Sequence, residues 1–339
     1  MGYQADSLPS GAQSSGLGID TSEVYFNAAE DLGAGQKIAA KLGIVDANRK
    51  PGMNGGDASL TYTNNSFGQI KLATEKIGTN FAAVAELGLP FIGMDGKVQD
   101  YLTSSDSISY TVPVGPVYVS LTHAESDKGI GIGAGSTGGS ALYPTYQNNN
   151  EIDVYYASGA LKLLGVLRQY DNQQVGAATI SGLPANMFPI KKDLTNLQAS
   201  YDLGMMKVGA GYQVVSTVAG AKQTDVELTA AFPMGSWTVG ALVAKSTTSD
   251  ATSKMPGGFA WDTALYNGTA NVFGLTVDYA FSKRTSLTMK YATWTPSGYI
   301  QYATDFAAAP GTHANQNGQG GLNWGQSASS TALLLNHSF

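Results

Sequence analysis

The 339-residue chain contains no cysteine. Neither a disulfide framework nor a cysteine-ligated zinc site is open to it, which suits a protein exported through an oxidising compartment. Charge is scarce as well. Charged residues make up 13% of the sequence, about half the usual share for a globular chain, and the arginines are Arg49, Arg168 and Arg284 alone. At a net charge of -6 the chain carries no basic footprint for nucleic acid. No run approaches the roughly 18–20 consecutive apolar residues that a membrane-crossing helix needs, so a helical membrane protein is excluded. The opening MGYQADSLPSG has no cationic segment followed by an apolar one, and any export signal is expected to have been removed. His123, His313 and His337 have no metal-ligand spacing.

What the chain has in quantity is a period of two. Between Glu23 and Ile44, Val24, Phe26 and Ala28 alternate with Glu23, Tyr25 and Asn27; after a glycine-rich turn, Ile38, Ala40, Leu42 and Ile44 alternate with Lys37 and Lys41. That pattern predicts a β-hairpin. Six more follow, turning at Asn64 to Gly68, Pro113 to Pro116, Ser158 to Ala160, Leu203 to Met205, Pro233 to Ser236 and Ser282 to Thr285. Between them lie longer stretches rich in Gly, Ser, Asn and Pro, at 77–104, 126–149, 172–191, 247–269 and 296–326. One end of the structure is therefore expected to carry tight turns and the other long loops. Seven hairpins make fourteen strands, the closing STALLLNHSF a fifteenth, and MGYQ reads as the stub of another, for an even count of sixteen.

The two faces of these strands point to a membrane. Strands of about 8–11 residues, rising about 3.3 Å each and tilted about 40°, cover close to the 25 Å apolar band of a transmembrane barrel. A soluble sandwich would carry many charges on its second face. Here that face is Ser, Thr, Gly, Asn and Gln, as at Asn196, Gln198 and Ser200 or Gly209, Gly211 and Gln213, and it is expected to meet a wet lumen. Aromatics at Tyr156, Tyr201, Tyr212, Phe232, Trp237, Phe281 and Tyr291 are read as interfacial girdles. In the final segment Thr331, Leu333, Leu335, His337 and Phe339 face outward, and Ala332, Leu334, Asn336 and Ser338 inward. An open edge in lipid would leave backbone groups unsatisfied, so this strand is expected to close the barrel.

These features resemble the general porins of the Gram-negative outer membrane. The likeness rests on EDLGAGQK at Glu30 to Lys37, NNSFGQIKLA at Asn64 to Ala73, ISYTVP at Ile108 to Pro113, and the terminal Phe339. It implies one all-β domain over 1–339, a sixteen-stranded antiparallel transmembrane barrel with short periplasmic turns and long external loops. By the same resemblance the first strand is expected to be truncated, Glu23 to Asp31 being the second. The function implied is a water-filled channel for passive diffusion of ions and small hydrophilic solutes, integral to the bacterial outer membrane, without catalysis or cofactor. A substrate-specific channel, with binding aromatics such as Tyr143, Tyr146, Trp261 and Trp324, is the alternative; a secreted all-β adhesin is a further one.

The resemblance also assigns roles. Residues 77–104 become an inward-folded constriction loop supplying Glu86, Asp95 and Asp100, with Lys97 as its clear cation. Inward wall positions opposite carry Lys37, Lys41 and Lys71, and Lys162 and Arg168 share inward parity on another strand. Opposed charges of this kind set up a transverse field that orients polar solutes. Inward acids elsewhere, including Glu75, Glu151, Asp153, Asp225 and Glu227, leave the lumen near balance and slightly acidic. A homotrimer is implied, with Val24, Phe26, Ala28, Ile38, Ala40, Leu72 and Leu335 at its interface. Outer-membrane lipid and lipopolysaccharide are the surrounding partners, and Phe339 is the assembly signal. GAGSTG at Gly133 to Gly138 matches a dinucleotide fingerprint in letters, but no buried strand and following helix frame it.

Overall fold

Alternating side chains on an extended backbone share faces in pairs, and each stretch with that period is a strand. The computed structural model describes residues 2–7, 13–18, 23–45, 54–77, 81–91, 103–126, 148–170, 191–217, 220, 222–249, 268–297 and 328–338. Among them are seventeen strand segments in one sheet. They are β1 (Gly2–Ser7), β2 (Gln13–Gly18), β3 (Glu23–Gly33), β4 (Gln36–Val45), β5 (Asn54–Asn64) and β6 (Gly68–Ile77). Next come β7 (Thr103–Val114), β8 (Val117–Ser126), β9 (Asn149–Ser158), β10 (Leu161–Tyr170), β11 (Lys191–Asp202) and β12 (Lys207–Thr217). The last five are β13 (Lys222–Met234), β14 (Trp237–Ser249), β15 (Gly268–Ala280), β16 (Thr285–Ser297) and β17 (Ala328–His337).

All seven hairpins form where the period breaks, from β3–β4 through β15–β16. The first turn shows the local chemistry. Gly33, Ala34 and Gly35 all take positive φ, at 79°, 51° and 74°, a conformation glycine adopts without steric cost. The Asp31 carboxylate accepts the Gly33 N–H at 2.8 Å, and the register slips between these two residues. That is a bulge closing a tight turn.

Seventeen segments occupy sixteen positions. β17 is antiparallel to β1 and β1 to β2, so β2 runs in the direction of β17. Fourteen antiparallel steps separate β3 from β17, so β3 runs that way too. β2 and β3 are consecutive lengths of one strand direction, the first pairing with β1 and the second with β4. The MGYQ stub is thus longer than its sequence suggests. It extends to Ser7, registers Gly2 to Ser7 against Leu334 to Ser329, and places Gln4 Nε2 at 3.3 Å from Ser330 Oγ. Residues 13–18, QSSGLG, have little strand propensity of their own and read as loop, yet pairing with β1 makes them a strand, since tertiary context overrides weak β preference.

The faces are inverted relative to a soluble protein. In β13, Leu228 is 57% exposed while its neighbour Glu227 is 1% exposed. Leu197, Val243, Phe273 and Leu333 are likewise exposed, and Asn196, Gln213, Ser246 and Thr276 buried. Apolar side chains outside and polar ones inside are what a barrel in lipid requires. Tyr201, Phe232, Trp237 and Phe281 point outward at the short-turn end, where Trp237, Tyr279 and Phe281 stack with centroids 4.5 and 4.9 Å apart. Tyr212 and Tyr291 lie in mid-strand instead, so the girdle reading does not extend to them. Phe339 and most of the predicted long loops lie outside the described residues.

Candidate pore and its inner wall

The inner wall has two unlike halves. On β3–β8 the inward residues Asn27, Ala29, Ala39, Ser59, Thr61, Thr63, Ser109, Thr111, Ser120 and Thr122 are exposed or half-buried, while Ala73, Ser105 and Ala124, toward the long-loop end, are buried. Alanines 29 and 39 sit opposite each other and form a shallow depression rimmed by Asn27, Lys41, Ser59 and Thr61. On β11–β17 most inward residues are instead buried, although Lys207, Asp278, Lys290 and Asn336 keep some exposure.

Residues 81–91 supply the cover. They begin with one turn of 3-10 helix at Phe81–Ala83, in which Phe81 is fully buried. The Gln198 side-chain carbonyl accepts the backbone N–H groups of Val84 at 2.9 Å and Ala85 at 3.1 Å. Farther along, Phe91 packs with Leu242, Ala244, Ala270, Val272, Ala292, Ala332 and Leu334, flanked by Leu89. This apolar seat inside the barrel corrects the expectation of a wholly wet lumen. Asn196, Gln198, Ser200, Gly209, Gly211 and Gln213 do face inward, but they are buried. The one sequence signal was that β15 and β17 carry apolar residues at both parities, as in ALLL at 332–335.

The predicted charges separate along the same line. Lys37, Lys41 and Lys71 are on the open half. Lys41 lies 3.6 Å from Asp57 and over the Tyr25 ring, and Lys71 pairs with Glu75 at 2.5 Å. Among the described residues no carboxylate is within ion-pair distance of Lys37 or Lys162, and Lys162 is exposed beside the β9–β10 turn. Arg168 is buried and bound to Glu151, with its Nη1 3.4 Å from the Tyr170 hydroxyl. Glu86, within the 81–91 segment, is buried within electrostatic reach of Glu227, which Asp225 also neighbours. Asp95, Lys97, Asp100 and the aromatics Tyr143, Tyr146, Trp261 and Trp324 lie outside the described residues. The predicted interface residues Val24, Phe26, Ala28, Ala40, Leu72 and Leu335 are exposed on the outer face, and Ile38 is half-buried there.

A sheet whose first and last strands pair, apolar outside and polar within, with a half-open inner wall, defines a transmembrane β-barrel channel. A family model described as Gram-negative porin matches residues 2–297. The chain belongs to that family and is an outer-membrane porin for passive diffusion. Solved structures share the fold. The anion-selective porin from Comamonas acidovorans is 18% identical over 100% of this chain and 96% of its own, with a TM-score of 0.65. OmpT of Vibrio cholerae, in-vitro folded and in a trimer form, is 13% identical over 98% and 97%, at 0.60. A mutant of Rh. blastica porin is 13% identical over 98% of both chains, at 0.53. A search of curated proteins finds no match.

Proposed function

We propose that ions and small hydrophilic solutes cross the barrel along the β3–β8 wall, and that residues 77–104 are the inward-folded constriction opposite it. The observation that carries this reading is the split inner wall. Side chains such as Asn27 and Ala29 are exposed, while most inward ones of β11–β17 are buried, those of β14–β17 around Phe91 among them. Lys37, Lys41 and Lys71 line the path, whereas Glu86 is buried within electrostatic reach of Glu227 on the covered wall and does not face them; Asp95 and Asp100 lie outside the described residues. Because Lys41 and Lys71 are each beside a carboxylate, their fields are largely dipolar and fall off quickly in salt. The channel is therefore weakly selective, and the reading assigns no catalytic step to the chain.

The assembly is a homotrimer embedded in lipid and lipopolysaccharide, its subunits meeting through the outward residues of β3, β4, β6 and β17. Support comes from the small, exposed side chains of Ala28 and Ala40, which allow close approach, and from the trimer form of the Vibrio cholerae protein.

Planar-bilayer recording of the purified protein tests permeation directly. Stepwise conductance with a reversal potential near zero in a salt gradient is expected. No steps at any protein concentration overturns the reading, and saturable block by a particular solute marks a substrate-specific channel.

A further inference from the structure

Three residues of β11 and β12 matter for what they hold and for what they lack. Gln198 is the inward residue opposite Gly211, and Gly209 sits one inward position along. The Gln198 amide cannot turn over freely, because its Nε2 donates to Asn196 Oδ1 at 2.9 Å. Its carbonyl is thereby aimed at the segment and binds two successive N–H groups of it. The glycines let the segment come closer than any side chain would. A Cβ built on Gly209 would lie 1.9 Å from the Ala85 carbonyl oxygen, and one on Gly211 would lie 2.5 Å from the Phe81 ring. Both partners are fully buried, so neither can swing away. The neighbouring Ala82 and Ala83 are exposed, which gives the turn a dry side on β12 and a wet side on the lumen.

We propose that Gln198, Gly209 and Gly211 are positioning residues that set the free cross-section of the pore by fixing how deeply residues 81–91 sit against the wall. The inference rests on the permeation reading above. Van der Waals contact begins near 3.5 Å, so a methyl at Gly209 must move the segment by on the order of 1.5 Å, away from β12 and toward the side on which Ala82 and Ala83 are exposed. Replacing Gln198 with leucine keeps the bulk and removes the acceptor for two N–H groups, which unpins the turn without pushing it.

The test is single-channel recording of the wild type, Gly209→Ala, Gly211→Ala, Gln198→Leu and a control, Gly165→Ala, whose added methyl meets Leu197 at an ordinary 3.6 Å. Heat-modifiable migration on gels verifies folding of each variant. The glycine variants are expected to lose conductance and to slow uptake more for large solutes than for small ones. Gln198→Leu is expected to show noisier open levels, and the control to match the wild type. Folded Gly209→Ala and Gly211→Ala channels with wild-type conductance and size cutoff would overturn the inference. If the glycine variants do not fold, quiet wild-type levels in Gln198→Leu overturn it instead. A wild type without conductance overturns the permeation reading itself, which separates the two failures.

Discussion

Arg168 donates its Nε–H to a carboxylate oxygen of Glu151 at 2.6 Å, its Nη2 lies 2.5 Å from the same oxygen as an ion-pair contact, and the two side chains are almost wholly buried. Asp153 lies two residues along the same face, with a carboxylate oxygen that has no hydrogen-bond partner among the described residues. Removing the guanidinium would strand Glu151 beside a second acid, and breaking a buried pair from one side costs about 3–5 kcal/mol. Arg168→Met should lower unfolding stability in lipid vesicles by that order. The double variant Arg168→Met with Glu151→Leu should recover most of it, as read from urea titration.

Selectivity should respond to unpaired charge and not to charge count. Lys71 and Glu75 form a close pair, whereas Lys37 has no carboxylate within ion-pair distance among the described residues. The double variant Lys71→Gln with Glu75→Gln removes a dipole and should leave the reversal potential in a salt gradient where it was. Lys37→Gln removes a net positive charge and should move it toward cations. Equal shifts for the two would contradict the assignment of Lys37 to the path.

The outer face should behave as a lipid surface. Leu228 is exposed near the middle of β13, and an arginine on the lipid face near the midplane costs about 2–4 kcal/mol. Leu228→Arg should therefore destabilise the barrel by that much in bilayers. Asn27→Arg, on the open inner wall, should stay within roughly 0.5 kcal/mol of the wild type, as ordinary surface changes do.

Subunit contact is checked most simply at Ala40. Ala40→Arg places a charged, bulky side chain on the outward face of β4 and should convert the heat-sensitive oligomer band on gels to monomer. Leu228→Ala, on the far side of the sheet, should leave that band intact. A persistent oligomer in Ala40→Arg would move the interface elsewhere.

The parts of this molecule legible in its sequence are those governed by neighbouring residues. A period of two and a cluster of turn formers are local, and the seven hairpins from Glu23–Gly33 onward fall where the pattern places them. Parity likewise identifies inward residues, because a one-residue slip would reverse every face. What covers an inward residue is not local. Gln198 and Gly211 look like lumen lining until a segment more than a hundred residues earlier is laid over them. Arg168 has the parity of a pore cation, yet the adjacent strand supplies Glu151 and removes its charge from the path. QSSGLG at 13–18 reads as loop in the sequence for the same reason, since it is a strand only by virtue of β1 beside it.

The seam between β1 and β17 joins residues as distant in sequence as Gln4 and Ser330, 326 positions apart. Bringing such remote points together costs roughly 5 kcal/mol of chain entropy by the usual logarithmic scaling. No partial product of synthesis can make this join. Until the final strand arrives, the ribbon has two raw borders of unpaired amides that invite pairing with any other strand. Sealing therefore waits on the arrival of β17, and the nascent polypeptide has to be kept from its own kind all the way to the membrane that receives it.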